Sequence, residues 1–399
     1  MKAPRLAAAA ASVLLASAVL AVAAPDDALG LDYNFAGSTQ IDYHLVPTVK
    51  DADARPIGFD GFTIEAALKL TVDVSDRLSA NVKVCYGCHG FETDMAYFDL
   101  RLADELDFRF GRFSPSFGSF NLRHDPANHR LSDKPLPYDM GRMLRLRAWN
   151  LGVLPSPFPD NGPEVNGHHA FGEGLWADYA AYLVSGFKGD TASPDLDFVQ
   201  SRDGNAYYVD NNGRPSYGGR LSATARLGTM SDVTLGASVM RGTFDPNNQL
   251  TYLIVGGDLV FRIVSTNVRL EYLVRRQEFD TSDPSRFQYA IAPNGDFFVK
   301  HGAYAEIEQP VSSVVDLVAR ADGLARFGNI VVLPAGAAIP ADGALGPRSW
   351  VLRYTLGTAF SVERGLRLKA STELWQFSDP DASGQNLAAG VHVAAVGTF

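Results

Sequence analysis

The chain has 399 residues, 46% of them hydrophobic and 20% charged, with 35 Lys plus Arg against 45 Asp plus Glu and a formal charge of −10. This composition excludes a disordered or fibrous chain, and the acidic balance argues against a nucleic-acid binder, which carries a basic face. Two cysteines are too few for a small disulfide-built fold, and beyond the N-terminus no apolar run is long enough to predict a transmembrane helix.

The N-terminus reads as an export signal. Lys2 and Arg5 make a basic start, Leu6 to Val22 is a run rich in Ala, Leu, Val and Ser, and Ala21-Val22-Ala23 is an A-x-A cleavage site. Residues 1–23 are therefore expected to be a signal peptide and 24–399 the mature domain. Losing Lys2 and Arg5 leaves 33 basic against 45 acidic residues, a charge of −12. The mature chain is expected to fold outside a bacterial cytoplasm.

The rest of the chain alternates with period two. Phe62, Ile64, Ala66, Leu68, Leu70, Val72 and Val74 interleave with Thr63, Glu65, Ala67, Lys69, Thr71 and Asp73. Successive strand side chains point to opposite faces, so one face is apolar and the other polar. Leu221 to Leu227, Leu352 to Phe360 and Leu366 to Leu374 repeat the pattern. These runs are about 10 to 14 residues long, where soluble strands are usually about 5 or 6. Their apolar faces tolerate Ala and Gly, and their polar faces carry charge, as lipid-facing and lumen-facing surfaces do.

The connections alternate too. Short turns fall at 75–77, 103–105, 228–231, 264–266, 310–312 and 362–365, and longer polar connections near 46–59, 86–93, 188–216, 244–250, 280–297, 323–347 and 378–386. One further strand is needed within 114–175 to keep the short turns on one side, and Arg142 to Val153 is the expected segment. The expectation is an all-β, antiparallel transmembrane barrel of about sixteen strands in the outer membrane of a Gram-negative-type bacterium, surrounded by its lipid, with both termini periplasmic. Closure leaves no unpaired backbone edge in lipid. The last strand agrees: Val391, Val393, Ala395, Gly397 and the terminal Phe399 share a face, which resembles the C-terminal signal of outer-membrane barrels.

The fifth-to-sixth connection is expected from about Phe113 to Arg142. The stretch Phe110-Gly111-Arg112-Phe113-Ser114-Pro115-Ser116-Phe117-Gly118 resembles the start of the constriction loop in phosphate-selective-type porins, with the proline displaced by one residue. The match is short and carries the porin class, not phosphate as the solute. The resemblance implies an inward-folding loop, passive diffusion of small polar solutes and a homotrimer. Arg123, Arg130, Lys134, Arg142, Arg145 and Arg147 face only Asp125, Asp133 and Asp139 in this region, a local excess of +3. With lumen-facing Arg220, Arg226, Arg353, Arg367 and Lys369, they predict a mild anion preference. Pairing with Glu65, Asp99, Glu271 and Glu373 is the competing reading.

Cys85-Tyr86-Gly87-Cys88-His89 uses both cysteines of the chain. C-x-x-C-H is the attachment motif of haem c: two thiols add to the two vinyl groups and His89 ligates the iron. A disulfide closing the Val84 to Met95 hairpin, and a zinc site built on His89 and another His, fit the same residues. Lys83 and Cys85 are expected to face the lumen, so His124 and His129 of the constriction loop are candidates for a second axial ligand, with Met140 and Met143 behind them. A haem-bearing barrel for electron transfer or redox sensing is the alternative function. It would require periplasmic or surface cytochromes as partners, because one haem cannot bridge about 30 Å of hydrocarbon. A structural or docking barrel with a plugged lumen is the second alternative. No G-x-S-x-G, P-loop or H-E-x-x-H motif predicts an enzyme.

Overall fold

The computed structural model describes residues 31–45, 61–87, 90–139, 152–189, 196, 201, 208–280, 290–291, 297–328, 331–332, 349–378 and 386–399. The expected signal peptide, Cys88, His89, Met140, Arg142, Met143, Arg145 and Arg147 lie outside these residues.

The strands are β1 (Asp32–Leu45), β2 (Gly61–Ser75), β3 (Leu78–Gly87), β4 (Gly90–Ala103), β5 (Leu106–Phe113), β6 (Asp160–Ala170), β7 (Leu175–Val184), β8 (Ser216–Gly228) and β9 (Ser231–Thr243). They continue with β10 (Thr251–Ile263), β11 (Thr266–Glu278), β12 (Ala290–Ile291), β13 (Phe297–Pro310), β14 (Val315–Gly328), β15 (Val331–Val332), β16 (Ser349–Glu363), β17 (Leu366–Phe377) and β18 (Leu387–Thr398). Every strand except β12 and β15 joins one closed antiparallel barrel of sixteen strands, while β12 and β15 pair only with each other. Closure is made by β1 and β18, in a register that sets Ser38 opposite Thr398 and His44 opposite His392.

The alternation reads out as an inside-out protein. On β2, Phe62 is 79% exposed and Ile64 46%, while Ala67, one strand face away, is buried. Leu221, Leu235, Leu270, Leu356 and Val393 project outward from other strands, whereas Lys83, Glu164, Asp258, Glu271, Arg353 and Lys369 are buried inside. A continuous apolar outer surface of this extent has no stable place in water, and hydrocarbon is its natural solvent. No helix among the described residues is long and apolar enough to cross a membrane.

Two sequence expectations are corrected. The sixth strand is β6, Asp160–Ala170, and not Arg142 to Val153. Gly152 and Val153 lie in the lumen instead, donating their backbone N–H groups to Asp139 and Pro137. The outward face of β6 is Asn161, Pro163, Val165, Gly167 and His169; it carries no apolar stripe and is held as a strand by pairing with β5 and β7. The connection near 86–93 is a tight hairpin, since β3 reaches Gly87 and β4 begins at Gly90. Trp375 and Tyr97 point inward: Trp375 is fully buried, and Tyr97 lies under Arg109 with the guanidinium 4.6 Å from the ring centre.

Candidate functional site

The described residues of the connection from β5 to β6, 114–139 and 152–159, fold into the barrel, as the resemblance implies. Its apolar residues create a core that the barrel wall alone lacks. Phe117, Phe120, Leu136, Tyr138, Val153 and Phe158 are buried against Phe113, Tyr252, Leu273, Tyr304 and Leu324 of the wall. Each fully buried aromatic of this kind contributes about 1.5–3 kcal/mol, so hydrophobic burial is what pulls the segment inward.

Polar contacts fix where it sits. Ser116 donates its backbone N–H to Glu164 of β6 at 2.9 Å, and Gly118 donates its own to Ser238 of β9 at 3.0 Å. Glu271 of β11 accepts from the N–H groups of Ser119 and Phe120 and from the Tyr138 hydroxyl at 2.5 Å. Leu136 N–H donates to Asp322 of β14 at 3.1 Å. On the far side, Lys369 of β17 donates to the carbonyls of Pro126 and Leu131 and to Gln40 of β1. Lys83 of β3 donates to Asp125 at 2.6 Å. The segment is therefore tied to wall strands on all sides of the lumen. Gly118 has φ +65°, and a Cβ there would come within 2.2 Å of both the Tyr138 hydroxyl and Glu271 Oε1. Only glycine allows this turn against the wall.

The loop cations meet wall carboxylates. Arg123 pairs with Glu306 at 3.6 Å, Arg130 with Asp316 at 2.7 Å and Glu308 at 3.3 Å, and Lys134 with Glu65 at 3.8 Å. Asp133 sits between Arg320 and Arg353, which also bind Asp322. Burial works against the charged form of Asp133, but the two guanidiniums outweigh it and hold the carboxyl well below the usual range. The competing reading of the lumen, that its charges are paired, therefore holds for the described loop cations and for Asp99, which pairs with Arg109. Glu271 departs from it, because it accepts loop N–H groups and the Tyr138 hydroxyl.

The two loop histidines are in different places. His124 donates from Nδ1 to the Asn121 carbonyl at 2.7 Å, and its Nε2 accepts from Lys83 Nζ at 3.2 Å. Burial and then Lys83 push its pKa down, so the ring is neutral and both nitrogens are occupied. His129 donates from Nδ1 to Leu131 O at 2.8 Å and lies against Phe120. Burial and then Lys369 hold it well below the ordinary imidazole value. Cys85 faces the lumen as expected and shares a cavity of about 50 Å³ with His124, Asp125, Glu65 and Lys83. That volume takes water but not a porphyrin, so the residues described around Cys85 do not fit a haem placed inside the barrel. His168 and His169 lie at the end of β6 beside the short 171–174 turn, bonded to Asp178 and Glu105 on an exposed rim.

The sequence missed Glu271 and Arg320 as loop anchors. Both sit on inward strand positions, which is legible, but their partners lie more than a hundred residues away and no local pattern names them.

Neither a protein-family model nor a curated protein sequence matches this chain. Solved structures do. OmpF of Salmonella typhi, in complex with daunomycin, aligns with TM-score 0.56 at 8% identity, over 92% of this chain and 97% of that one. An anion-selective porin from Comamonas acidovorans aligns with TM-score 0.53 at 13% identity, over 92% and 100%. The trimer form of OmpT, an outer membrane protein of Vibrio cholerae, aligns with TM-score 0.51 at 11% identity, over 92% and 99%. At these identities the likeness establishes a shared barrel fold.

Proposed function

We propose that the chain is a porin-like channel of the outer membrane through which small polar solutes diffuse, narrowed by the segment between β5 and β6. The observation that carries this reading is a closed sixteen-strand barrel with a charged interior and an apolar exterior, a strand number at which barrels enclose an aqueous passage. The inward segment would set the size limit. Liposome swelling with sugars and amino acids of graded size tests it: swelling with a sharp size limit supports the reading.

A mild anion preference belongs to the same proposal. Arg367 and Lys369 support it, because they face loop carbonyls, Arg367 donating to Ala127 at 3.0 Å, and bind no carboxylate directly among the described residues. The pairing of the other loop cations limits it. Reversal potential in a KCl gradient reads the sign. A homotrimer is proposed on the likeness to the trimer form of OmpT.

Covalent haem through Cys85 and Cys88, with His89 on the iron, is a separate proposal that rests on the motif alone. When bound, haem would supply one-electron transfer, and surface or periplasmic cytochromes would be its partners. A haem stain on denaturing gels, lost in the Cys85→Ala/Cys88→Ala double variant, would support it; a colourless protein rejects it. A plugged docking barrel is favoured by one observation, the anchoring of the loop on all sides of the lumen. Absence of any swelling would select it.

A further inference from the structure

The seam where the barrel closes carries a cluster that the channel reading does not use. His44 near the end of β1 and His392 of β18 are direct cross-strand partners. Their rings are stacked with centres 3.7 Å apart. Glu373 of β17 lies one strand further, with Oε2 3.4 Å from His392 Nε2. One ligand atom from each of the three falls within 4.8 Å of the others, and all three side chains are buried. It is the one such group of His, Cys, Asp and Glu among the described residues.

Three features favour an ion there. Two imidazolium rings stacked this closely would repel each other, whereas two neutral imidazoles can ligate a shared cation. Glu373 is oriented from behind: Trp375 Nε1 donates to Oε2 at 2.8 Å, and Arg353 approaches Oε1 at 3.4 Å. Such outer contacts fix a ligating carboxylate, and the Arg353 charge is already met by Asp133 and Asp322. Finally, Gly390 stands opposite Glu373. A Cβ on it would lie 3.2 Å from His44 Nε2 and 3.4 Å from Glu373 Oε2, so the missing side chain leaves space between the two donors.

We propose that His44, His392 and Glu373 bind one divalent transition-metal ion of the zinc class, clamping the first strand to the last two. Two imidazoles and a carboxylate suit Zn²⁺ in a tetrahedral site with water as the fourth ligand, and do not suit Mg²⁺ or Ca²⁺, which take oxygen ligands. The ion would bridge β1 to β17 and β18, across the one seam whose strands come from opposite ends of the chain.

The test uses the full mature barrel in detergent, stripped with a chelator and titrated with Zn²⁺. One equivalent per chain is expected, together with a higher unfolding temperature of the folded gel band with Zn²⁺ than with chelator. His44→Gln and His392→Gln should lose both effects. Cys85, Cys88 and His89 offer a rival set, so the titration is repeated in Cys85→Ser/Cys88→Ser. Retention of the equivalent supports the seam site; its loss there moves the ion to the motif and overturns the proposal. If the histidine variants fail to fold, Gly390→Ala decides, because it keeps every ligand but fills the space between them. At least tenfold weaker binding is expected, and wild-type binding by Gly390→Ala, or none by the parent barrel, overturns the proposal.

Discussion

Asp133 and Arg320 meet inside the barrel with both carboxylate oxygens 2.8 Å from the same guanidinium nitrogen, and neither side chain is more than 1% exposed. One belongs to the inward loop and the other to β14, so this contact joins the constriction to the wall. Arg353 completes it from β16.

Removing Asp133 leaves two buried guanidiniums short of a partner. Breaking a buried pair from one side costs about 3–5 kcal/mol, reduced here because Asp322 and Glu306 remain beside Arg320. Asp133→Ala is expected to loosen the loop while the barrel stays closed. Single-channel conductance should rise and become noisier, and amides of 130–138 should exchange faster. Wild-type conductance and exchange would show that the pair does not hold the loop.

Acid should loosen the same segment, through its histidines first. Docked His124 and His129 have pKa values pushed below the ordinary imidazole value by burial and by neighbouring cations. An undocked loop takes up protons near pH 6.5, so docking is at full strength above that pH and weakens as pH falls below it. Asp133, held low, loses its contribution only below about pH 4. Loop exchange, corrected for intrinsic rate, should be faster at pH 5.5 than at pH 7.5, and His129→Gln should reduce the difference. An unchanged ratio in the parent protein contradicts this.

Gly118 makes a steric prediction. A methyl group there would overlap the Tyr138 hydroxyl and Glu271 within 2.2 Å, and the residue has positive φ. Gly118→Ala is expected to break the Tyr138–Glu271 contact and raise the size limit for liposome swelling. A channel of unaltered cut-off would place the constriction elsewhere.

The C-terminal ring supplies another. Phe399 lies over Gly37, where a Cβ would come within 2.4 Å of its ring, and the two residues exchange backbone hydrogen bonds at 3.1 and 3.2 Å. Gly37→Val should displace the ring and lower the yield of heat-modifiable folded barrel. Recovery of normal yield in Gly37→Val/Phe399→Ala would locate the effect in that contact.

The barrel was legible because its physics is local. Phe62 to Val74 alternate since one face meets lipid and the other the lumen, and short turns such as Asp76-Arg77 mark one end. The inward course of the loop was legible by resemblance at Phe110 to Gly118. The sixth strand was not, because β6 turns Pro163 and Gly167 outward and has only Val165 as a large apolar outward residue. An even count required a strand there, but counting cannot say which segment forms it. The loop anchors stayed hidden for a different reason. Arg353 and Asp133 are 220 residues apart, and only closure of the cylinder brings them together. The His44–His392 pair has the same origin, since it joins the first strand of the barrel to the last.

Planar-bilayer recording of the purified, folded barrel tests the central claim most directly. The account predicts discrete conductance steps in KCl that become larger in Asp133→Ala. Folded barrel that inserts, yet gives no steps in either form, would contradict it.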